Sequence, residues 1–375
     1  MSTYVDIHII QNLPPSCVNR DDSGSPKSAV YGGVRRLRVS SQSWKRATRL
    51  YFNDLLDAED IGVRTKRVVE VLASSIAKGA PEFAENATAL AEGVFKAAKI
   101  KLSSPRGKKD GTQESGYLLF LSTSQIARLA ELAIASARSG ETLDAKMVKK
   151  IFKETHAVDI ALFGRMVADD TDLNVDAACQ VAHAISTHAA ENEYDFFTAV
   201  DDEKSRSEEE DAGAGMMGTV EFSSATMYRY ATVNLDMLVE NLGDGDAVLR
   251  ALEVFIKGFC LSMPTGKQNT FANRTLPEVV VISVRDDQPV SLVGAFEEPV
   301  PEASGLGYID RSVGVLAQYA KTIEKNYGLT PLSSFVVALK DSDAVSSLGE
   351  RVSFADLPDR VRQVVAPRVS REERA

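Results

Sequence analysis

Long apolar runs are missing from this chain. No stretch approaches the roughly 18 residues of a membrane-spanning helix, and no charged-then-apolar leader opens the sequence, so neither a membrane span nor secretion is expected and the expected setting is cytoplasmic. Cysteine is scarce: Cys17, Cys179 and Cys260 are widely scattered and odd in number, which fits a reducing compartment and offers no metal cage. Of the four histidines, His183 and His188 come closest to a ligand pair. Their odd separation sends them to opposite faces of a strand and matches a helix poorly, and no nearby carboxylate completes a set, so neither a metal nor a cofactor is expected. Net positive charge is also absent, with 43 Lys+Arg against 53 Asp+Glu and a formal charge of -10. That argues against a general nucleic-acid-binding surface but permits a local one, because the field that matters is set within a Debye length of about 8 to 10 Å. There is no internal repeat. Gly266-Lys267 suggests a phosphate-binding loop, but Gly258 lies too far upstream and Gln268 replaces the hydroxyl that would hold magnesium, which excludes an NTPase.

What is present is an ordinary globular composition, 44% hydrophobic and 26% charged over 375 residues. Such a chain can bury a large core and either divides into more than one domain or carries large insertions. The positive charge that the whole lacks is concentrated locally: from Arg20 to Arg49, eight basic residues stand against two acidic ones. Gly32-Gly33 is expected to end a loop and Val34–Val39 to form a short strand with a mixed face. Ser40 or Ser41 then caps a helix whose inward side holds Trp44, Ala47, Thr48 and Tyr51. On that helix Gln42, Lys45 and Arg49 fall at i, i+3 and i+7, setting one amide and two cations on a single face. The unpaired N–H groups and partial positive charge of the helix N-terminus lie beside them, a combination suited to phosphates. A solvated helix with a basic outer face is the plainer alternative.

Tyr4–Ile10 alternates Val5, Ile7 and Ile9 with Asp6 and His8, the pattern of a half-buried strand. Residues 62–77, 81–99, 124–137 and 144–156 read as helices, with a polar, turn-rich loop over 103–116. In the last of these helices Lys146, Lys149, Lys150 and Lys153 make a basic stripe, with Met147, Ile151 and Phe152 as its buried side. Val158–Val167 reads as a strand and Val175–Val181 as helical. Further helices are expected at 245–261, 304–327 and 354–362, strands at 228–235, 278–284 and 335–339, and a loose tail from Pro367. Pro264–Thr270 reads as a loop offering Lys267 and Gln268 to a phosphate or base. Tyr194–Val200 and Met216–Phe222 read as two strand-like arms around Asp201–Gly215, which holds seven acidic residues, two basic ones and two glycines and is too charged to pack. Such a protruding hairpin is marginal alone and needs a partner surface.

Asn19-Arg20-Asp21-Asp22, the run Gly-Gly-x-Arg-Arg-x-Arg-x-Ser-Ser-Gln-Ser-x-Lys-Arg-Ala from Gly32 to Ala47, and several later segments resemble the guide-RNA-binding backbone subunit of the type I-E CRISPR surveillance complex, Cascade. The resemblance covers most of the chain and is weakest in residues 57–155 and at the C-terminus. It implies an α+β fold: a modified ferredoxin-like, RRM-like palm from residues 1–56, 157–190 and 225–375, the last part with additional helices and a C-terminal tail; a helical fingers insertion at 57–156; and a β-hairpin thumb at 191–224. On this reading Arg20, Lys27, Lys45 and Arg49 neutralise guide-RNA phosphates while Asn19, Ser40 and Gln42 add neutral hydrogen bonds, contacts that fix register without reading sequence. Phe197, Thr198 and Met217 match thumb residues that wedge beside a displaced base, and Met166 matches the palm residue that stacks on the same nucleotide, a task tolerant of sequence because every base has a π-face. Lys267 and Gln268 are implied RNA contacts, and the Lys146, Lys149, Lys150 and Lys153 stripe resembles the family's contact to target duplex DNA. The implied partners are CRISPR guide RNA, target DNA, copies of the chain in a head-to-tail helical stack, the other Cascade subunits, and a helicase-nuclease recruited to the assembled complex. No catalysis is expected. The competing readings are a metal-dependent RNA-cleaving backbone subunit using Asp21 and Asp22, and a general single-strand nucleic-acid-binding protein.

Overall fold

The computed structural model describes residues 2–105, 112–154, 156–199, 216–305 and 307–369. The acidic stretch Asp201–Gly215, the centre of the 103–116 loop and the tail beyond residue 369 lie outside the described residues.

The strand Tyr4–Ser16 is the middle of a mixed sheet. It pairs antiparallel with Met216–Asn234 on one side and with Val279–Arg285 on the other. Beyond Val279–Arg285 lie Ser333–Ala338 and the parallel edge strand Glu350–Arg351. Beyond Met216–Asn234 lie Ala184–Ser186, Val34–Val39 and the edge strand Ser28–Tyr31. With twelve helices among the described residues, the fold is α+β. No described helix is long and apolar enough to cross a membrane.

Because side chains alternate across a strand, the two faces of Tyr4–Ile10 meet different layers. Val5, Ile7 and Ile9 join Val280, Ile282 and Val284 beneath the helices Gly245–Leu261 and Leu357–Val369. Ile10 joins Tyr228, Val279 and Val281 against Val313, Leu316 and Ala317 of the helix Tyr308–Tyr327. Helices on both faces therefore bury this strand throughout, where its alternation predicts one solvated side. Asp6 and His8 are buried with partners, the condition for keeping polar groups inside. Asp6 accepts from the Tyr230 hydroxyl at 2.9 Å, the Val290 N–H at 2.9 Å and Arg285 Nε at 3.0 Å. His8 Nδ1 lies 2.9 Å from the Tyr228 hydroxyl.

A second core lies among the helices Val68–Gly79, Ala87–Ala97, Thr123–Ser139 and Ala145–Lys153, which bury Leu72, Ile76, Phe95, Leu129, Val148 and Phe152 together. This helical region opens on a strand, Gly62–Thr65, paired with Leu119–Ser122, where the pattern predicts helix from residue 62. Val148, Ile151 and Phe152 form the buried side of Ala145–Lys153, and Met147 is exposed rather than inward.

Three further expectations are overturned. Val158–Phe163 is a helix, ended by Gly164 at φ +77°. Val158 to Leu162 are all buried, Asp159 included, and a run that is buried on every side carries no period to separate helix from strand. Val175–Val181 is not helical: Val175 bridges Arg165, and Cys179–Val181 pairs with Met216–Asn234. There the open edge of the long strand supplies hydrogen bonds that outweigh local helix preference. At the other end, Leu357–Val369 runs helical through Pro367, past the point where a loose tail is expected.

Gly32 feeds the basic strand. Its φ is +59°, and a Cβ there would stand 1.6 Å from the Glu297 carbonyl oxygen. Gly32→Ala is therefore expected to lower the unfolding free energy by about 2 kcal/mol. Urea titration of parent and variant checks this, and coincident midpoints would refute it.

Candidate nucleic-acid interface

The basic helix is Ser41–Tyr51. Ser40 is extended and its hydroxyl accepts from the Ser43 N–H, while Trp44, Ala47 and Thr48 are buried. The Trp44 ring carries the Arg229 guanidinium 3.6 Å from its centroid. Arg229 in turn donates to Gln11 Oε1 at 2.6 Å and to the Phe259 carbonyl, and burial pushes its pKa down to about 9. This stack holds the helix by its inner face, leaving Gln42 and Arg46 exposed and Lys45 and Arg49 half-buried on the other. Lys45 Nζ lies 5.9 Å from the Phe163 ring centroid. Arg49 Nε donates to Asp159 Oδ2 at 3.1 Å and its guanidinium stands 4.5 Å from the Phe120 ring centroid. Burial pushes the Asp159 carboxyl up, and the Arg49 cation opposes that shift.

Three further segments are linked to this helix, directly or through one another. Asn19 Oδ1 accepts from the Ser40 N–H at 2.8 Å, and the Asn19 carbonyl accepts from the Lys27 N–H at 2.9 Å. The loop between them leaves Arg20 exposed and Lys27 half-buried. Its turn is shaped by Asp21, whose Oδ1 accepts from the Ser23 N–H, the Ser23 hydroxyl and the Ser25 N–H, an Asx-type arrangement. The Ser23 hydroxyl above all holds the Asp21 carboxyl below its ordinary range. The second segment is Pro264–Phe271, where a Cβ on Gly266 would stand 2.2 Å from the Val18 carbonyl oxygen, so the two backbones touch. Lys267, at φ +47°, leads into a four-residue helix, Gln268–Phe271, within the expected loop. Gln268 lines a groove of about 180 Å³ shared with Ala47, Leu50 and Tyr51 of the basic helix.

The third segment is the foot of the hairpin. Glu193–Ala199 pairs with the first residues of Met216–Asn234. Glu221 accepts from Ser25 and Asn192, and the Phe222 ring lies 6.0 Å from Phe271. Thr198 is opposite Met217, and Phe197 is opposite Gly218. Strand alternation thus puts Thr198 and Met217 on one face with Tyr194 and Phe196, and puts Phe197 on the other. The Phe197 ring covers Gly218, where a Cβ would stand 2.7 Å from Cζ. Tyr194, Phe196, Met216 and Met217 are all exposed, Met217 at 65%, so Met217 fills no core of this chain.

The remaining residues singled out by the sequence lie elsewhere. Met166 is 78% exposed beside a rigid base. Its neighbour Arg165 is buried and donates to the carbonyls of Leu173 and Phe152, and burial lowers its pKa to about 10. On Ala145–Lys153, Lys146, Lys150 and Lys153 are exposed, but Lys149 is paired with Asp170 and Lys150 lies 3.8 Å from Glu154. The basic stripe is partly neutralised from within.

Sequence reasoning missed three residues that hold this surface in place. His183, which the sequence offers only as a poor metal ligand, accepts the Ser41 N–H on Nδ1 at 3.0 Å and so closes the N-terminus of the basic helix. Burial, Arg38 and Lys27 together push its pKa below the ordinary histidine value. His188 is unrelated to it: its ring stacks 3.6 Å from Tyr308 and its Nε2 accepts from the Thr226 N–H. Arg229 and Asp159 are the other two. Their partners Trp44 and Arg49 are more than a hundred positions away in the chain, and no local motif signals such a contact.

Two solved structures are similar to this chain in overall fold over nearly their whole length. One is a chain of a "CRISPR RNA-guided surveillance complex, pre-nicking", with 38% sequence identity and a TM-score of 0.85, covering 96% of this chain and 99% of that one. Another, from a "CRISPR RNA-guided surveillance complex", has 32% identity and a TM-score of 0.76 over the same shares. The comparison with curated proteins finds no match. The family model described as CT1975-like protein matches residues 5–360, and the chain belongs to that family.

Proposed function

We propose that the chain is a non-catalytic backbone subunit of a CRISPR surveillance complex of type I-E, and that it coats guide RNA without reading its sequence. The observation that carries this reading is the gathering of Arg20, Lys27 and Lys45 about one helix N-terminus in an acidic chain, with Lys267 on a loop whose backbone touches Val18 beside them. Such a patch neutralises phosphates through its cations, which do not distinguish bases. Asn19 and Ser40 act mainly by fixing the loop and the cap, and Gln42 is left outward for the RNA. In this reading the sheet is an RRM-like palm, the helical region the fingers, and the hairpin a thumb whose exposed Tyr194, Phe196 and Met217 seek the RNA and the next copy in a head-to-tail stack. Met166 supplies a second stacking group, and the exposed lysines Lys146, Lys150 and Lys153 meet target DNA. Other Cascade subunits and a helicase-nuclease complete the partners. The engagement of Asp21 with three donors supports a loop-shaping role rather than metal-dependent cleavage.

The test is a salt titration of binding to guide-length RNAs of unrelated sequence. The parent is expected to bind them alike, and Lys27→Ala/Lys45→Ala to flatten the log–log salt slope by about 1.4, roughly 0.7 for each phosphate of the single strand that is no longer neutralised. Parent and double variant with the same slope would remove the patch from the RNA-binding surface.

A further inference from the structure

Arg49 is held on two sides. Asp159, fully buried, accepts its Nε, and the Phe120 ring lies against its face. The two terminal nitrogens make no hydrogen bond to a described residue, and the side chain keeps 22% of its surface open. A guanidinium presents its N–H groups in a fixed planar fork, so securing the Nε edge and one face aims the opposite edge. That edge lies on the helix face that also carries Gln42 and Lys45. The other oxygen of Asp159 accepts from the Gly62 N–H at 2.9 Å, so the carboxylate that grips Arg49 is itself anchored to the strand opening the helical region.

We propose that Asp159 is a positioning residue that presents the Arg49 fork, already ordered, to a phosphate of the bound RNA strand. This rests on the RNA-binding reading above. An ordered fork loses little freedom on binding, whereas a free arginine must surrender its rotamers when the phosphate arrives. The arrangement also explains why arginine is required: a lysine ammonium that reaches Asp159 has no second edge to offer, and one that reaches the phosphate leaves a buried carboxylate unpaired.

RNA affinity and salt slope are measured for the parent, Arg49→Ala, Arg49→Lys, Asp159→Asn and the Arg49→Ala/Asp159→Asn double variant, with thermal unfolding of each. Arg49→Ala and Asp159→Asn are each expected to weaken binding by about tenfold, and the double variant to be no weaker than Arg49→Ala alone, the signature of one coupled unit. Arg49→Lys, which conserves charge at a half-exposed site and leaves the buried carboxylate in place, is also expected to lose most of that affinity. An Asp159→Asn protein that unfolds earlier yet binds RNA as the parent does would make the pair purely structural and overturn the proposal, as would full affinity in Arg49→Lys. A parent without salt-dependent RNA binding would instead strike the underlying reading, and the parent arm reports that separately.

Discussion

Arg36→Ala is expected to lower the unfolding free energy by about 4 kcal/mol, twice the loss expected from Gly32→Ala. Arg36 is completely buried although it sits in the basic run. Its Nε donates to the Tyr31 carbonyl at 3.1 Å, Nη1 to that of Ser186 at 3.0 Å, and Nη2 to those of Phe296 at 2.8 Å and Glu297 at 3.3 Å. These carbonyls come from an edge strand, an inner strand and a distant turn, so one side chain joins three segments. Burial lowers the Arg36 pKa, yet four acceptors compensate for its lost hydration. Truncation leaves those carbonyls without a donor and opens a cavity, and each orphaned buried group costs about 1–3 kcal/mol before relaxation. The neighbouring Arg35 is exposed, and Arg35→Ala is expected to change stability by less than about 0.5 kcal/mol. Urea unfolding of the two variants decides the matter: equal midpoints would show that Arg36 does not join the segments.

The unfolding free energy is further expected to fall by about 2 to 3 kcal/mol between pH 7.5 and pH 5.5. All four histidines sit below the ordinary value. Burial pushes His8 to about 3 and His156 to about 4, and it is also the main cause of the downward shifts of His183 and His188. The unfolded chain takes up protons as the pH drops below about 6.5, while the folded chain refuses them. The histidine contribution to stability is therefore complete above the unfolded value and is lost as pH falls from there toward 4 and 3. At pH 5.5 a fully buried His8 accounts for about 1.4 kcal/mol, and the half-buried His156 and the hydrogen-bonded His188 each add less. Asp6 and Asp159 act in the opposite sense, because burial raises their carboxyls, and their ion pairs with Arg285 and Arg49 restrain that effect. His8→Phe keeps a ring beside Tyr228 and Tyr230, whose centroids lie 6.3 and 5.2 Å away, and removes the titration. Denaturation across this range should show a drop smaller by about 1.4 kcal/mol in the variant, and the same drop in both proteins would refute the assignment.

The regular elements with a clear period were legible in the sequence. Gly245–Leu261 stands where its apolar spacing places it, and the Ser40 cap and inward Trp44, Ala47 and Thr48 follow from the pattern alone. The misreadings have physical causes. Val158–Phe163 is buried on nearly every side and so has no period, while Cys179–Val181 is a three-residue strand made by a neighbour's open edge rather than by its own propensity. At the candidate site, the cations Arg20 and Lys45 were legible as charge, but charge alone does not tell an arginine facing solvent from one facing carbonyls. Arg35 and Arg36 are adjacent and have opposite fates. The partners that decide the matter, Ser186 and Phe296 for Arg36 and Asp159 for Arg49, come from distant parts of the chain and become visible only when the chain is folded.

The strand Met216–Asn234 is one uninterrupted piece of 19 residues that begins in the hairpin and ends in the middle of the sheet. At about 3.3 Å per residue it is a rod of roughly 60 Å. From Ser223 inward it is flanked along much of its length by Tyr4–Ser16, whose direction is opposite. A pull on the hairpin along this axis therefore loads many interstrand hydrogen bonds side by side, in shear, instead of peeling them one after another. In the head-to-tail stack proposed above, tension between neighbouring molecules would be borne by the most deeply buried part of the fold, and the hairpin would behave as a tether rather than as a hinge.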